Sequence, residues 1–92
     1  MWIVINLHPA LPGTFPGTHA IEKAYNAFQQ NKIEYTGVMV HFVPDEGIDN
    51  GPVIAQEIVP IQSNDTLEKL EERIHDVEHC LLINALKQVF QQ

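Results

Sequence analysis

The sequence predicts an α/β fold in which a mixed sheet of about three strands carries two helices. Three observations point there. Trp2-Ile3-Val4-Ile5 is a short continuous apolar run, as in strands buried on both faces of a parallel sheet. Two later stretches, 36–43 and 53–61, read as strands on either side of a loop that holds Gly47, Gly51 and Pro52. Two others repeat apolar residues at the 3.6-residue spacing of a helix.

Taken in order, the opening strand has the character of one flanked by neighbours and crossover helices, so the chain is expected to start in the middle of a larger α/β domain. Residues 9–17 hold Pro9, Pro12, Gly13, Pro16 and Gly17, which excludes helix and interior strand and gives a stiff loop. From about His19 to Gln30, the residues Ile21, Ala24, Tyr25 and Phe28 recur at i, i+3, i+4 and i+7, one face of an amphipathic helix. Asn31 suits its C-terminal end. Alternation in 36–43 puts Val38, Val40 and Phe42 on one face and Met39, His41 and Val43 on the other. The strand from Val53 to Ile61 is expected to pair with it. Asp65, with Glu68 three residues on, makes an acidic version of the capping box and starts the last helix. Leu67, Leu70, Ile74, Val77, Leu81, Ala85 and Val89 form its apolar stripe. Asn84 and Gln88 interrupt a coiled-coil heptad, so this helix is expected to pack on the sheet.

Ninety-two residues allow one small domain, and a chain of this size buries only about 60–65% of its unfolded surface. Its 45% hydrophobic and 18% charged content is that of a globular protein. Twelve acidic against five scattered basic residues give a net charge of -7, which excludes the basic face that nucleic acid requires. There is no membrane-spanning apolar stretch and no signal-peptide pattern, so a cytoplasmic location is expected. Cys80, alone in an apolar helical run, is expected to be a buried structural thiol.

Asn6-Leu7-His8-Pro9 is the most informative short segment. Asn6 and His8 are two apart at a strand end, so they project to the same side. In open α/β sheets ligands bind beyond the carboxyl ends of the strands, where this pair would sit. The loop around Asp49 adds a second feature. Gly47 and Gly51 let its backbone approach a ligand, and Ile48 beside Asp49 helps turn the carboxylate inward. A solvated acidic turn and a calcium loop are the competing readings of Asp45, Glu46 and Asp49, although calcium needs more oxygen ligands at tighter spacing.

Five segments then recur in order: Ile5-Asn6-Leu7-His8-Pro9, Phe15-Pro16-Gly17-Thr18-His19, Val40-His41-Phe42-Val43, Asp45-Glu46, and Asp49-Asn50-Gly51-Pro52-Val53-Ile54. With Glu78-His79 in the last helix, they resemble the signature of the glycinamide ribonucleotide transformylase (phosphoribosylglycinamide formyltransferase) family over nearly the whole chain. The resemblance implies the C-terminal half of a Rossmann-like formyltransferase fold. It also implies transfer of a formyl group from 10-formyltetrahydrofolate to the amine of glycinamide ribonucleotide in purine biosynthesis. By position, Asn6, His8 and Asp49 would be catalytic, Glu78 would contact the amine substrate, and Val43, Pro44, Asp45 and Glu46 would line the folate pocket. No metal is implied. The chemistry fits, because formyl transfer builds negative charge on oxygen and positive charge on nitrogen. Asn6 can donate to the oxygen without titrating, His8 can donate when protonated, and Asp49 can favour the imidazolium and orient a proton-relaying water. Formyltetrahydrofolate deformylases tend to have a second histidine where Pro9 stands, and methionyl-tRNA formyltransferases an Arg-Gly where Phe15-Pro16-Gly17 stands. Ala10-Leu11-Pro12-Gly13 replaces the Ser-Leu-Leu-Pro of many transformylases.

His75-Asp76-Val77-Glu78-His79 also fits the H-x-x-E-H pattern of inverted zinc peptidases, but no acidic residue follows His79 to complete such a site. Nothing before Asn6 can form the Gly-rich turn that holds a substrate phosphate in transformylases. The chain is therefore expected to be a single C-terminal catalytic subdomain, residues 1–92, that lacks an N-terminal phosphate-binding half. Its expected partners are small-molecule substrates and either a second copy in a homodimer or a complementary N-terminal half. The alternatives are a non-catalytic remnant serving as a ligand-binding or assembly module, and a deformylase-like hydrolase.

Overall fold

The computed structural model describes residues 5–15, 17–43 and 52–90. In chain order its elements are β1 (Ile5–His8), α1 (Ala20–Gln29), β2 (Tyr35–Phe42), β3 (Val53–Pro60) and α2 (Leu67–Phe90). The three strands form one sheet in the order β1-β2-β3. The expected three strands and two helices are therefore present. Both pairings are antiparallel, where a mixed sheet was expected. The β2–β3 connection reverses the chain, and α1 returns it to β2 running against β1. A parallel neighbour of β1 could pair only along its other edge. Of the expected opening strand, Trp2, Ile3 and Val4 lie outside the described residues.

The alternation read from β2 decides which side of the sheet is core. Val38 and Val40 are fully buried, and across the β2–β3 ladder Val59 joins them. Leu70, Ile74, Leu81 and Ala85 of α2 close over this face, with Ile21, Tyr25 and Phe28 of α1 packed against the same cluster. The stripes predicted for both helices are thus the faces that pack. At the end of α1, Asn31 takes the left-handed conformation (φ 60°), and the Asn31 and Lys32 N–H groups donate to the carbonyls of Phe28 and Ala27. This pattern satisfies the last carbonyls of the helix.

The start of α2 differs from expectation. Leu67 is its first helical residue, and Thr66, not Asp65, caps it by accepting the Lys69 N–H on Oγ1 at 3.2 Å. Asp65 is instead a buried junction. Its carboxylate accepts the Gln62 N–H at 2.8 Å and both guanidinium nitrogens of Arg73, at 2.6 and 2.8 Å. Arg73 also donates to the Pro60 carbonyl, and the Tyr25 hydroxyl donates to the Asp65 carbonyl. The end of β3 and both helices therefore meet at the Asp65–Arg73 pair. Cys80 also departs from expectation, being exposed. One position before Leu81 is about 100° around the helix, which turns the thiol off the buried stripe.

Two details of the sheet bear on the site. The β2–β3 register shifts between Val40 and His41: Val40 pairs with Ala55 but His41 with Val53, leaving Ile54 as an extra residue on β3. At Gly37 the loop after β1 lies directly on the sheet, and a Cβ there would stand 2.6 Å from the Glu57 carbonyl oxygen and from Cγ of Leu11. The backbone oxygen cannot yield. Gly37→Ala is expected to cost about 1–3 kcal/mol, read as a lower urea midpoint. Among the described residues, no helix is long and apolar enough to cross a membrane.

Candidate functional site

Asn6 and His8 share a face of β1, as their spacing predicts, and the register sets Asn6 opposite His41 and His8 opposite Met39. Each of the two is held by a hydrogen bond. The Asn6 amide Nδ2–H donates to Nε2 of His41 at 3.3 Å, and Nδ1–H of His41 donates to the Phe42 carbonyl at 3.1 Å. His8 lies 3.3 Å by its Nε2 from the Phe15 carbonyl oxygen. A carbonyl only accepts, so Nε2 of His8 carries the hydrogen and Nδ1 is the nitrogen left to exchange a proton with a substrate.

The loop after β1 delivers that carbonyl. Its turn is closed by Thr14, whose N–H and hydroxyl both donate to the Leu11 carbonyl, and Gly13 supplies a positive φ of 79°. Phe15 itself has a φ of 41°, a conformation that costs a non-glycine residue on the order of 1 kcal/mol. In this conformation its carbonyl meets the imidazole. The prolines and glycines that forbid regular structure here thus serve to pin His8.

Glu78 reaches the same region from α2. Its side chain is 16% exposed. Burial pushes its carboxyl above the usual range, while the nearby His75 and His8 pull it back. A carboxylate stripped of water is a receptor for an amine or other cation. The sign of the shift gives a test. A raised acid stabilises the fold fully below its unfolded pKa, and that contribution is lost as pH rises through the folded value. At neutral pH the charge therefore costs stability. Glu78→Gln is expected to leave thermal stability at pH 7 equal or slightly higher while weakening binding of an amine substrate. A clear loss of stability would assign Glu78 a structural role instead.

Asp49 lies outside the described residues, as do Pro44, Asp45 and Glu46. Val43 is half-buried, one residue beyond the end of β2. His75 lies 3.9 Å from Glu78 through Nε2 and Oε1, and His79 is exposed. Among the described residues, no group of three or more His, Cys, Asp or Glu side chains converges to hold a metal. A cleft of about 500 Å³ opens elsewhere, between the loop at Leu11, Thr14 and Phe15 and the segment from Asn31 to Thr36. It includes neither Asn6, His8 nor Glu78.

Sequence reasoning assigned no role to His41, which is 4% exposed yet bonded through both ring nitrogens. The alternation of β2 placed it on the face with Met39; only the strand register brings it to Asn6.

Residues 2–86 match the family model described as "Formyl transferase". The chain is 54% identical over 84 residues to a phosphoribosylglycinamide formyltransferase of Dictyostelium discoideum, covering 91% of this chain and 40% of that protein. It is 55% identical over 86 residues to the same-named protein of Schizosaccharomyces pombe, covering 94% and 41%. Among solved structures, phosphoribosylglycinamide formyltransferase from Streptococcus pneumoniae superposes with a TM-score of 0.82 at 42% identity, covering 94% of this chain and 45% of that one. The chain thus spans about two fifths of the length of these curated relatives, within their C-terminal part. Fold, ordered motifs and near-complete coverage of the chain agree, and the chain belongs to the formyl transferase family.

Proposed function

We propose that this chain supplies the reacting groups for formyl transfer from 10-formyltetrahydrofolate to the amine of glycinamide ribonucleotide, a step of purine biosynthesis. The observation that carries the reading is the placement of Asn6 and His8 side by side on β1, with His8 near enough to act on the Glu78 carboxylate. In the reaction the amine nitrogen bonds to the formyl carbon, and the carbonyl oxygen takes up negative charge. Asn6 donates an amide N–H to that oxygen, and His8 donates from Nδ1. Asp49 orients the water that removes the amine proton. The bond from the formyl carbon to the donor nitrogen then breaks, and that nitrogen gains a proton. Glu78 holds the amine before attack, and residues 43–46 line the pterin-bearing donor. No metal takes part in this scheme.

The relatives are more than twice as long as this chain, and its five basic residues are scattered. A complementary N-terminal half therefore supplies the phosphate site in this proposal. Strand β1, at one end of the strand order, offers an outer edge where such a half, or a second copy, can pair. A reducing cytoplasm suits the exposed thiol of Cys80.

The test is a transfer assay with 10-formyltetrahydrofolate and glycinamide ribonucleotide, run on the chain alone and with a complementary half. Appearance of formylated product with the half present is expected. A folded chain silent in both arms would favour a binding module. Donor hydrolysis that ignores the amine would favour a deformylase.

A further inference from the structure

We infer that His41 is a positioning residue that fixes which way round the Asn6 amide faces. The inference rests on the reading of Asn6 as the donor to the reacting oxygen. An asparagine amide has a roughly two-fold torsion, and a half-turn exchanges its oxygen for its NH₂. In a substrate site, that turn would present a lone pair to a developing oxyanion. His41 removes the ambiguity. Its Nδ1–H donates to the Phe42 carbonyl at 3.1 Å, which leaves Nε2 as a bare acceptor 3.3 Å from the Asn6 amide. Only Nδ2 of Asn6 can satisfy that acceptor, because the turned amide would set oxygen against a lone pair. One N–H of Asn6 is thereby committed to His41, and the second remains for substrate.

Three further features fit a device for orientation rather than a passive core histidine. His41 is 4% exposed, and both of its ring nitrogens are engaged, so the ring has one satisfied orientation. It lies directly across the β1–β2 ladder from Asn6, so its position is set by strand register. The β1–β2 ladder is unbroken at this residue, with Leu7 opposite Val40 and Asn6 opposite His41, while the irregularity beside it lies on β3 at Ile54.

The two ring nitrogens can be imitated separately. Glutamine places an amide oxygen near the position of Nε2, whereas asparagine reaches only the position of Nδ1. The variants His41→Gln, His41→Asn and His41→Phe are compared with Asn6→Ala in the chain supplemented with its complementary half. His41→Asn and His41→Phe are expected to lower kcat by about 10- to 100-fold, with KM for both substrates little changed. His41→Gln is expected to recover most of that loss. In the chain alone, ¹⁵N spectra should show His41 protonated at Nδ1 and bare at Nε2. The Asn6 side-chain amide signals should move in His41→Asn and stay near the parent in His41→Gln. A folded His41→Asn protein with parent kcat, or a spectrum with Nε2 protonated, would overturn the positioning role. Parent activity in Asn6→Ala would instead overturn the catalytic reading beneath it, even with the hydrogen bond present in the spectra, so the two failures are distinguishable.

Discussion

Asn6→Ala and His8→Ala are each expected to reduce formyl transfer by about 10²- to 10³-fold while leaving the fold in place. The reason lies in what the two side chains do for the structure. Asn6 is exposed and His8 half-buried, and neither belongs to the cluster of Val38, Val40, Val59, Leu70 and Ile74. Their hydrogen bonds run to His41 and to the Phe15 carbonyl, and each contributes roughly 1 kcal/mol at most. The reaction depends on them far more. The oxygen of a tetrahedral intermediate needs a donor already in place, and a lost donor of that kind costs several kcal/mol of barrier. Transfer rates measured beside thermal unfolding separate the two effects. A stable His8→Ala protein with parent activity would remove this residue from the reaction.

The second large effect concerns stability. Arg73→Leu is expected to cost about 3 kcal/mol, a shift on the order of 15 °C in Tm for a domain of this size. The Asp65 side chain is only 2% exposed, and Arg73 covers both of its oxygens. Removing the guanidinium leaves a buried carboxylate that still accepts the Gln62 N–H. The same pair sets the acid behaviour. The Arg73 hydrogen bonds hold the Asp65 carboxyl down to about 2. A depressed acid contributes stability above its unfolded pKa and loses that contribution as pH falls through the folded one. The parent should therefore lose about 2–2.5 kcal/mol between roughly pH 4 and pH 2, and Arg73→Leu should lack most of this limb. Replacing both residues with apolar ones should cost less than the sum of the single changes. Equal acid limbs in parent and variant would argue against the pair as their source.

How much of this could be read from the residues depends on the range of the interaction. Ile21, Ala24, Tyr25 and Phe28 declared the buried side of α1 because helical periodicity is a property of the segment itself. The same holds for the pairing of β2 with β3 and for the shared face of Asn6 and His8, which alternation sets within four residues. Asp65 suits a cap by its residue type and by its spacing to Glu68. Arg73, two helical turns further on, decided otherwise by drawing the carboxylate away. His41 shows the same limit across strands. A slip of one residue in the β1–β2 ladder would turn its ring to the opposite side from Asn6, and local sequence holds no record of that register. Asp49, the remaining member of the proposed set, lies outside the described residues.

The extra residue at Ile54 divides the sheet into two independent rulers. One measures the pairing of Val38 and Val40 with β3 beneath α2; the other begins at His41 and Val53, the end at which Asn6 stands opposite His41. A segment swapped in from a related enzyme therefore has natural splice points at His41 and Val53. Grafted there, a loop of different length is expected to leave the pairing of Val38 and Val40 with β3 unchanged. Spliced past the bulge, within 54–56, the same graft would carry its offset into the strand under α2.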